Sequence, residues 1–123
     1  MPPSVLIVSS DSGLRAMLSL SLTCSLGANV AAETSEWEQA PRLAEDLRSD
    51  IVLLDILSLP GECSAIVRQL KAVRPEARVV VLTVSGDETS ATAAEASGAD
   101  RAIDRESFLA MIRHPIAAAR VAS

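Results

Sequence analysis

Aromatic side chains are almost absent from this chain: its 123 residues include one tryptophan, one phenylalanine and no tyrosine. A stacking platform for nucleic-acid bases or for a flavin ring has almost nothing to be built from. Basic charge is also scarce. Eleven Lys and Arg stand against sixteen Asp and Glu, for a net charge of −5, and the sequence pI is near 4.8. Nucleic-acid surfaces rely on clustered cations, so no nucleic-acid ligand is expected. The two cysteines, Cys24 and Cys63, have neither CxxC spacing nor a nearby histidine. They exclude a zinc site and a disulfide scaffold and read as small core or helix residues. The one histidine, His114, sits beside Pro115 far from any serine-rich turn, so it reads as a surface residue. No catalytic triad can be assembled around it, and no enzyme is expected. No apolar run approaches the roughly 20 residues of a membrane helix. No basic leader precedes the first apolar segment, so the expected location is cytoplasmic, away from any membrane.

What the sequence does contain is aliphatic. With 49% hydrophobic residues, the chain supports one core, and residues 1–123 read as a single domain. Short apolar runs alternate with longer amphipathic stretches, five times over, which predicts an α/β fold with a parallel sheet covered by helices. Val5–Val8, Ile51–Leu54 and Val79–Leu82 are continuous runs suited to central strands buried on both faces. Weaker strands are expected near residues 29–33 and 101–103. In the first helix Leu14, Met17, Leu18, Ser21, Leu22 and Leu26 form the expected packed stripe, ended by Gly27. Ser35 and Glu38 have the spacing of a capping box for a second helix, with Leu43 and Leu47 facing inward. Trp37 is expected to pack at the start of that helix. Ala65, Ile66, Val67 and Leu70 serve a third helix ending before Pro75. The fourth, residues 88–97, has an apolar side of Ala, Thr and Ser and ends at Gly98. The fifth begins near Glu106 with Phe108, Met111 and Ile112, and a kink or break is expected at His114-Pro115.

In open parallel sheets, ligand chemistry gathers at the carboxyl ends of the strands. That rule selects Ser9, Ser10 and Asp11 after strand one, Asp55 after strand three, Thr83 after strand four and Asp104-Arg105 after strand five. A carboxylate, a hydroxyl and a cation thus converge. The turn Ser9-Ser10-Asp11-Ser12-Gly13 also superficially resembles the phosphate loop of flavodoxin-type proteins. That minor reading, a phosphate or flavin binder, is opposed by the charge of Asp11 and the lack of aromatic rings.

Four motifs at their mutual spacing carry a more specific resemblance: Val5-Leu6-Ile7-Val8 with its polar trio, Asp50-Ile51-Val52-Leu53-Leu54-Asp55 followed by Pro60-Gly61, Val81-Leu82-Thr83, and Ser97-Gly98-Ala99-Asp100. Over nearly its whole length the chain resembles the CheY-like receiver domain of two-component response regulators. The resemblance implies a three-layer, doubly wound five-stranded sheet of order 2-1-3-4-5. It also implies a role in phosphorelay signalling alongside a histidine kinase or another signalling protein. Asp55 matches the aspartate that accepts a phosphoryl group, and Thr83 matches the switch hydroxyl.

The supporting positions depart from that pattern. Ser9 and Ser10 stand where an acidic pair holds Mg²⁺, and hydroxyls are poor substitutes for carboxylates around a hard cation. Asp11 falls one position late. It and Asp55 are the only weak metal candidates, so the expectation is no cofactor, or weakly bound Mg²⁺. Arg105 replaces the family's lysine and Glu106 its proline, while Ala102 occupies the switch-aromatic position and Pro60 comes one residue late. A direct Asp55–Arg105 ion pair is the expected substitute for the missing cationic charge. Two functions follow from the resemblance and its departures. One is an atypical, phosphorylation-independent protein-binding module, using a face of the fourth helix, fifth strand and fifth helix that could also form a homodimer. The other is a conventional phosphoacceptor on Asp55 with weakened Mg²⁺ dependence.

Overall fold

Burial on both faces is the fate of the three aliphatic runs. In the computed structural model, which describes residues 2–59, 61 and 63–113, they form the centre of a five-stranded parallel sheet of order β2-β1-β3-β4-β5. The strands are β1 (Ser4–Val8), β2 (Asn29–Thr34), β3 (Ile51–Asp55), β4 (Arg78–Thr83) and β5 (Arg101–Asp104). The helices are α1 (Ser12–Leu26), α2 (Ala40–Asp46), α3 (Cys63–Val73), α4 (Glu88–Ala96) and α5 (Arg105–Arg113). The two weak strands are the sheet's edges, where one side needs no aliphatic cover.

Alternation along the strands divides the core in two. Leu6, Val8, Val52, Leu54, Val79 and Val81 point toward α2, α3 and α4, meeting Ala44, Ile66, Val67, Leu70 and Ala94. Val5, Ile7, Leu53, Val80 and Leu82 point the other way, against Leu14, Leu18 and Leu22 of α1 and Phe108 and Ile112 of α5. Below the sheet, Lys71 Nζ donates to Asp100 Oδ2 at 2.6 Å and to the Ala77 carbonyl at 2.8 Å. The Val79 amide donates to the same Asp100 oxygen at 2.7 Å, so one carboxylate ties α3 and β4 to the turn before β5. Burial raises the Asp100 carboxyl, but the bonds from Lys71 and Val79 and the charges of Lys71 and Arg78 outweigh it and hold it below the usual value.

Several local expectations need correction. Met17 and Leu26 face solvent, and only Leu14, Leu18 and Leu22 of the proposed α1 stripe are buried. No capping box forms at Ser35-Glu38. Thr34 Oγ1 accepts from the Glu36 amide instead, and a short 3₁₀ turn over Trp37–Gln39 leads into α2. The buried positions of α2 are Ala40 and Ala44, while Leu47 is exposed and Leu43 is half-buried. Trp37 is half-buried against the core. Both cysteines are free, Cys24 exposed on α1 and Cys63 buried on α3, where burial pushes its thiol up against the opposing hydrogen bond with Ser97. The α5 helix starts at Arg105, within one residue of the expected start near Glu106. Pro60, and the kink expected at His114-Pro115, lie outside the described residues. No described helix is long and apolar enough to cross a membrane.

Candidate functional site

Asp55 closes β3 and is only 1% exposed. A carboxylate taken out of water this fully costs several kcal/mol unless its lone pairs are met. Six donor contacts meet them. Oδ1 accepts from Arg105 Nη2 at 2.6 Å, Arg105 Nε at 3.2 Å and the Leu57 amide at 3.4 Å. Oδ2 accepts from Arg105 Nη2 at 2.6 Å, Ser9 Oγ at 2.8 Å and Ser58 Oγ at 3.2 Å. The expected Asp55–Arg105 ion pair is therefore present, with the guanidinium gripping the carboxylate side-on. The reason is local: parallel pairing puts Asp55 level with Leu82 and Ile103, which leaves Arg105, the first residue of α5, two residues further on, where its long side chain reaches back over the strand ends to the carboxylate.

The serines after β1 have internal partners. Ser9 is fully buried; besides donating to Asp55, its hydroxyl accepts from the Asp11 amide at 3.1 Å. The Ser10 amide donates to Ser58 Oγ at 2.7 Å, and the two hydroxyls lie 3.1 Å apart. Arg15 Nη1 donates to the Ser9 carbonyl at 2.5 Å while its Nε lies 3.8 Å from Glu33 Oε1, pinning this loop to β2. Asp11 caps α1 by accepting from the Leu14 amide at 3.1 Å. Its other oxygen is 3.9 Å from Arg105 Nη1. The guanidinium consequently lies between the Asp55 and Asp11 carboxylates.

Ser58 and Arg15 were not singled out by the sequence reading. Ser58 had a signal, since a hydroxyl three residues after an aspartate is the spacing at which turns of this kind close on the aspartate side chain. Arg15 had none, because its role depends on a loop carbonyl. The remaining candidates lie apart from the charge cluster. Thr83 ends β4 at 5% exposure, and its hydroxyl has no hydrogen-bond partner among the described residues. Ala102 is half-buried, paired in register with Val81. Asp104 caps α5 through the Ser107 amide at 2.9 Å and hydroxyl at 2.7 Å, and those bonds hold its carboxyl below the usual value.

The donor set does not fit a divalent cation. Mg²⁺ requires near-octahedral oxygen ligands, with carboxylates supplying the charge. Among the described residues, Asp55 and Asp11 are the acids in contact with the site, and both already face Arg105. No group of three or more His, Cys, Asp or Glu suited to a metal exists among the described residues. A phosphate has no better seat at the start of α1, where the Asp11 side chain already caps the helix.

The family model described as the response regulator receiver domain matches residues 5–115. Solved structures agree in fold. The signal receiver domain of NarL from Mycobacterium tuberculosis superposes with a TM-score of 0.79 at 18% identity, over 99% of this chain and 98% of that one. The response regulator domain of CheB from Thermotoga maritima gives 0.71 at 19% identity, over 92% and 95%. The signal receiver domain of a modulated diguanylate cyclase from Desulfovibrio desulfuricans gives 0.71 at 26% identity, over the full length of both chains. No curated protein matches the sequence.

Proposed function

The chain belongs to the response regulator receiver family, and from that premise we propose that it is a protein-binding receiver held in one conformation by its own Arg105, independent of phosphorylation. One observation carries this reading. Asp55, at the phosphoacceptor position, has both oxygens engaged by donors and almost no contact with solvent. Acyl-phosphate formation needs a free carboxylate lone pair aligned with phosphorus. It also needs cationic charge shared between attacking and transferred oxygens. Here the available cation neutralises the nucleophile instead. With Ser9 and Ser10 in place of an acidic pair, there is no carboxylate surplus to recruit a metal that could displace it.

The same contact suggests where a partner would read the domain. Arg105 joins β5 to α5, so its grip on Asp55 fixes the start of α5 relative to the central sheet. A protein partner docking on the α4-β5-α5 face would meet a surface preset by that ion pair. Ala102 at the switch-aromatic position supports the same reading, since a methyl group supplies no ring to rotate between surface and site. The conventional alternative, phosphorylation of Asp55 with Arg105 in the lysine's role, requires the guanidinium to leave the carboxylate.

Incubation of the full chain with acetyl phosphate and Mg²⁺, followed by intact-mass measurement, tests the proposal. The expected outcome is an unmodified mass under conditions that label an ordinary receiver. A stoichiometric phosphoryl adduct, lost on Asp55→Asn substitution, would establish the conventional role.

A further inference from the structure

Pleating places two basic residues on an apolar side of the sheet. Successive strand residues alternate between faces, so Arg78 shares the face of Val80 on β4. Arg101, paired in register with Val80, shares that face with Ile103 on β5. This is the side covered by α1 and α5. Both arginines open their strands, at the end of the sheet away from Asp55. There the two helices leave a groove of about 740 Å³, within the roughly 300–1,000 Å³ of small-molecule sites. Leu22, Val80, Phe108 and Ile112 form its buried wall, while Leu26, Ile51 and Met111 are partly exposed at its mouth.

Charge at the mouth is unevenly committed. Asp50, Glu76 and Asp100 line it, but each already has a cation, Arg74 for the first two and Lys71 for the third. Arg78 and Arg101 are both exposed, and neither has an ion pair among the described residues. In a chain of net charge −5, this end thus presents two uncommitted cations beside an apolar recess. We propose that the groove binds a single-chain amphiphile of the fatty-acid class, its alkyl chain along the apolar wall and its carboxylate on Arg78 and Arg101. The site is separate from Asp55 and does not depend on whether that residue is phosphorylated. Charge complementarity selects the occupant: a guanidinium pair suits a carboxylate head, and a cationic or uncharged amphiphile leaves it unmet. Residues 114–123, which follow Ile112 along the chain, contain no acidic side chain, so they offer the arginines no carboxylate side chain. The recess is concave and lies between the helices, which suits a narrow alkyl chain better than the flat surface of a folded partner.

Titration of the ¹⁵N-labelled full chain with octanoate, decanoate and dodecanoate, each below its micellar concentration, is the test. The expected result is saturable shifts of the Val80, Arg101 and Met111 amides with Ser9 and Thr83 unmoved, and a Kd that tightens about fourfold per added methylene. Dodecyltrimethylammonium is expected to bind at least about tenfold more weakly than dodecanoate, and Arg78→Glu with Arg101→Glu to weaken dodecanoate by a similar factor. Because the Arg78 charge also acts on Asp100, Arg101→Gln alone, at an exposed position of an edge strand, repeats the comparison if the double variant fails to fold by circular dichroism. Absence of saturable shifts with dodecanoate overturns the proposal. So does equal affinity for the cationic amphiphile, or affinity unchanged in both arginine variants, either of which would reduce the binding to adsorption on apolar surface. Sedimentation at twice 12.9 kDa without fatty acid, with the same amides shifting on dilution, would give the groove to a second copy and overturn it as well.

Discussion

Three of the six donor contacts to Asp55 come from Arg105, and the other three come from neutral groups of the β1-α1 and β3-α3 loops. Neutral hydroxyls and an amide can orient a buried carboxylate, but they do not offset its charge. Arg105→Ala is therefore expected to destabilise the domain by about 3 kcal/mol, measured by urea denaturation. Arg105→Lys should recover only part of that, because a point charge cannot span Nε and Nη2 contacts at once. A loss below about 1 kcal/mol for the alanine variant would show that the pair is no more than a surface ion pair. At this scale the sequence was informative about Asp55, Ser9 and Arg105, because strand ends locate them. It was silent on Ser10–Ser58, whose contact is made between two loops.

Among the helices, α4 shows how little apolar area an element can have and still be placed. Only Ser90 and Ala94 of its nine residues are buried, so its ends matter more than its face. Asp87 accepts from the Thr89 and Ser90 amides, and Ser90 Oγ returns a bond to the Asp87 carbonyl at 3.1 Å. Asp87→Ala is expected to cost about 1 kcal/mol. Hydrogen exchange should show the loss in α4 amides while β1 and β3 keep their protection; a uniform change across the sheet would contradict the local account. The strands were legible in sequence because continuous Val, Ile and Leu runs have no other use in a chain this short. The face of α2 was not, because the 3₁₀ turn over Trp37–Gln39 and Pro41 in the first helical turn set its rotation. A shift of one residue turns a helix by about 100°. Ala40 and Ala44 therefore occupy the centre of the buried face, with Leu43 at its edge against the core and Leu47 turned to solvent.

For the molecule as a whole, acid stability follows in part from Asp100, whose carboxyl is held below its ordinary value of 3.8 by Lys71 and Val79 against the cost of burial, and in part from Asp104, held below the same value by Ser107. A depressed value in the folded state means the contribution is complete above 3.8 and is lost as pH falls through the lower, folded value. Melting temperature should thus decline with acidification below about pH 4, and Asp100→Asn should flatten the decline while lowering stability at neutral pH. A steeper decline in the variant would reverse the sign and the explanation.

The domain as a unit is a receiver whose charge balance is settled internally, and the test of that claim is whether its central carboxylate can be claimed from outside. An NMR titration of the ¹⁵N-labelled chain with Mg²⁺ and beryllofluoride, following the Ser9, Leu57, Ser58 and Thr83 amides and the Arg105 guanidinium, measures this directly. Unchanged resonances throughout the titration are the predicted result. Saturable shifts at those groups, with release of the Arg105 guanidinium signal from its bonded position, would contradict it.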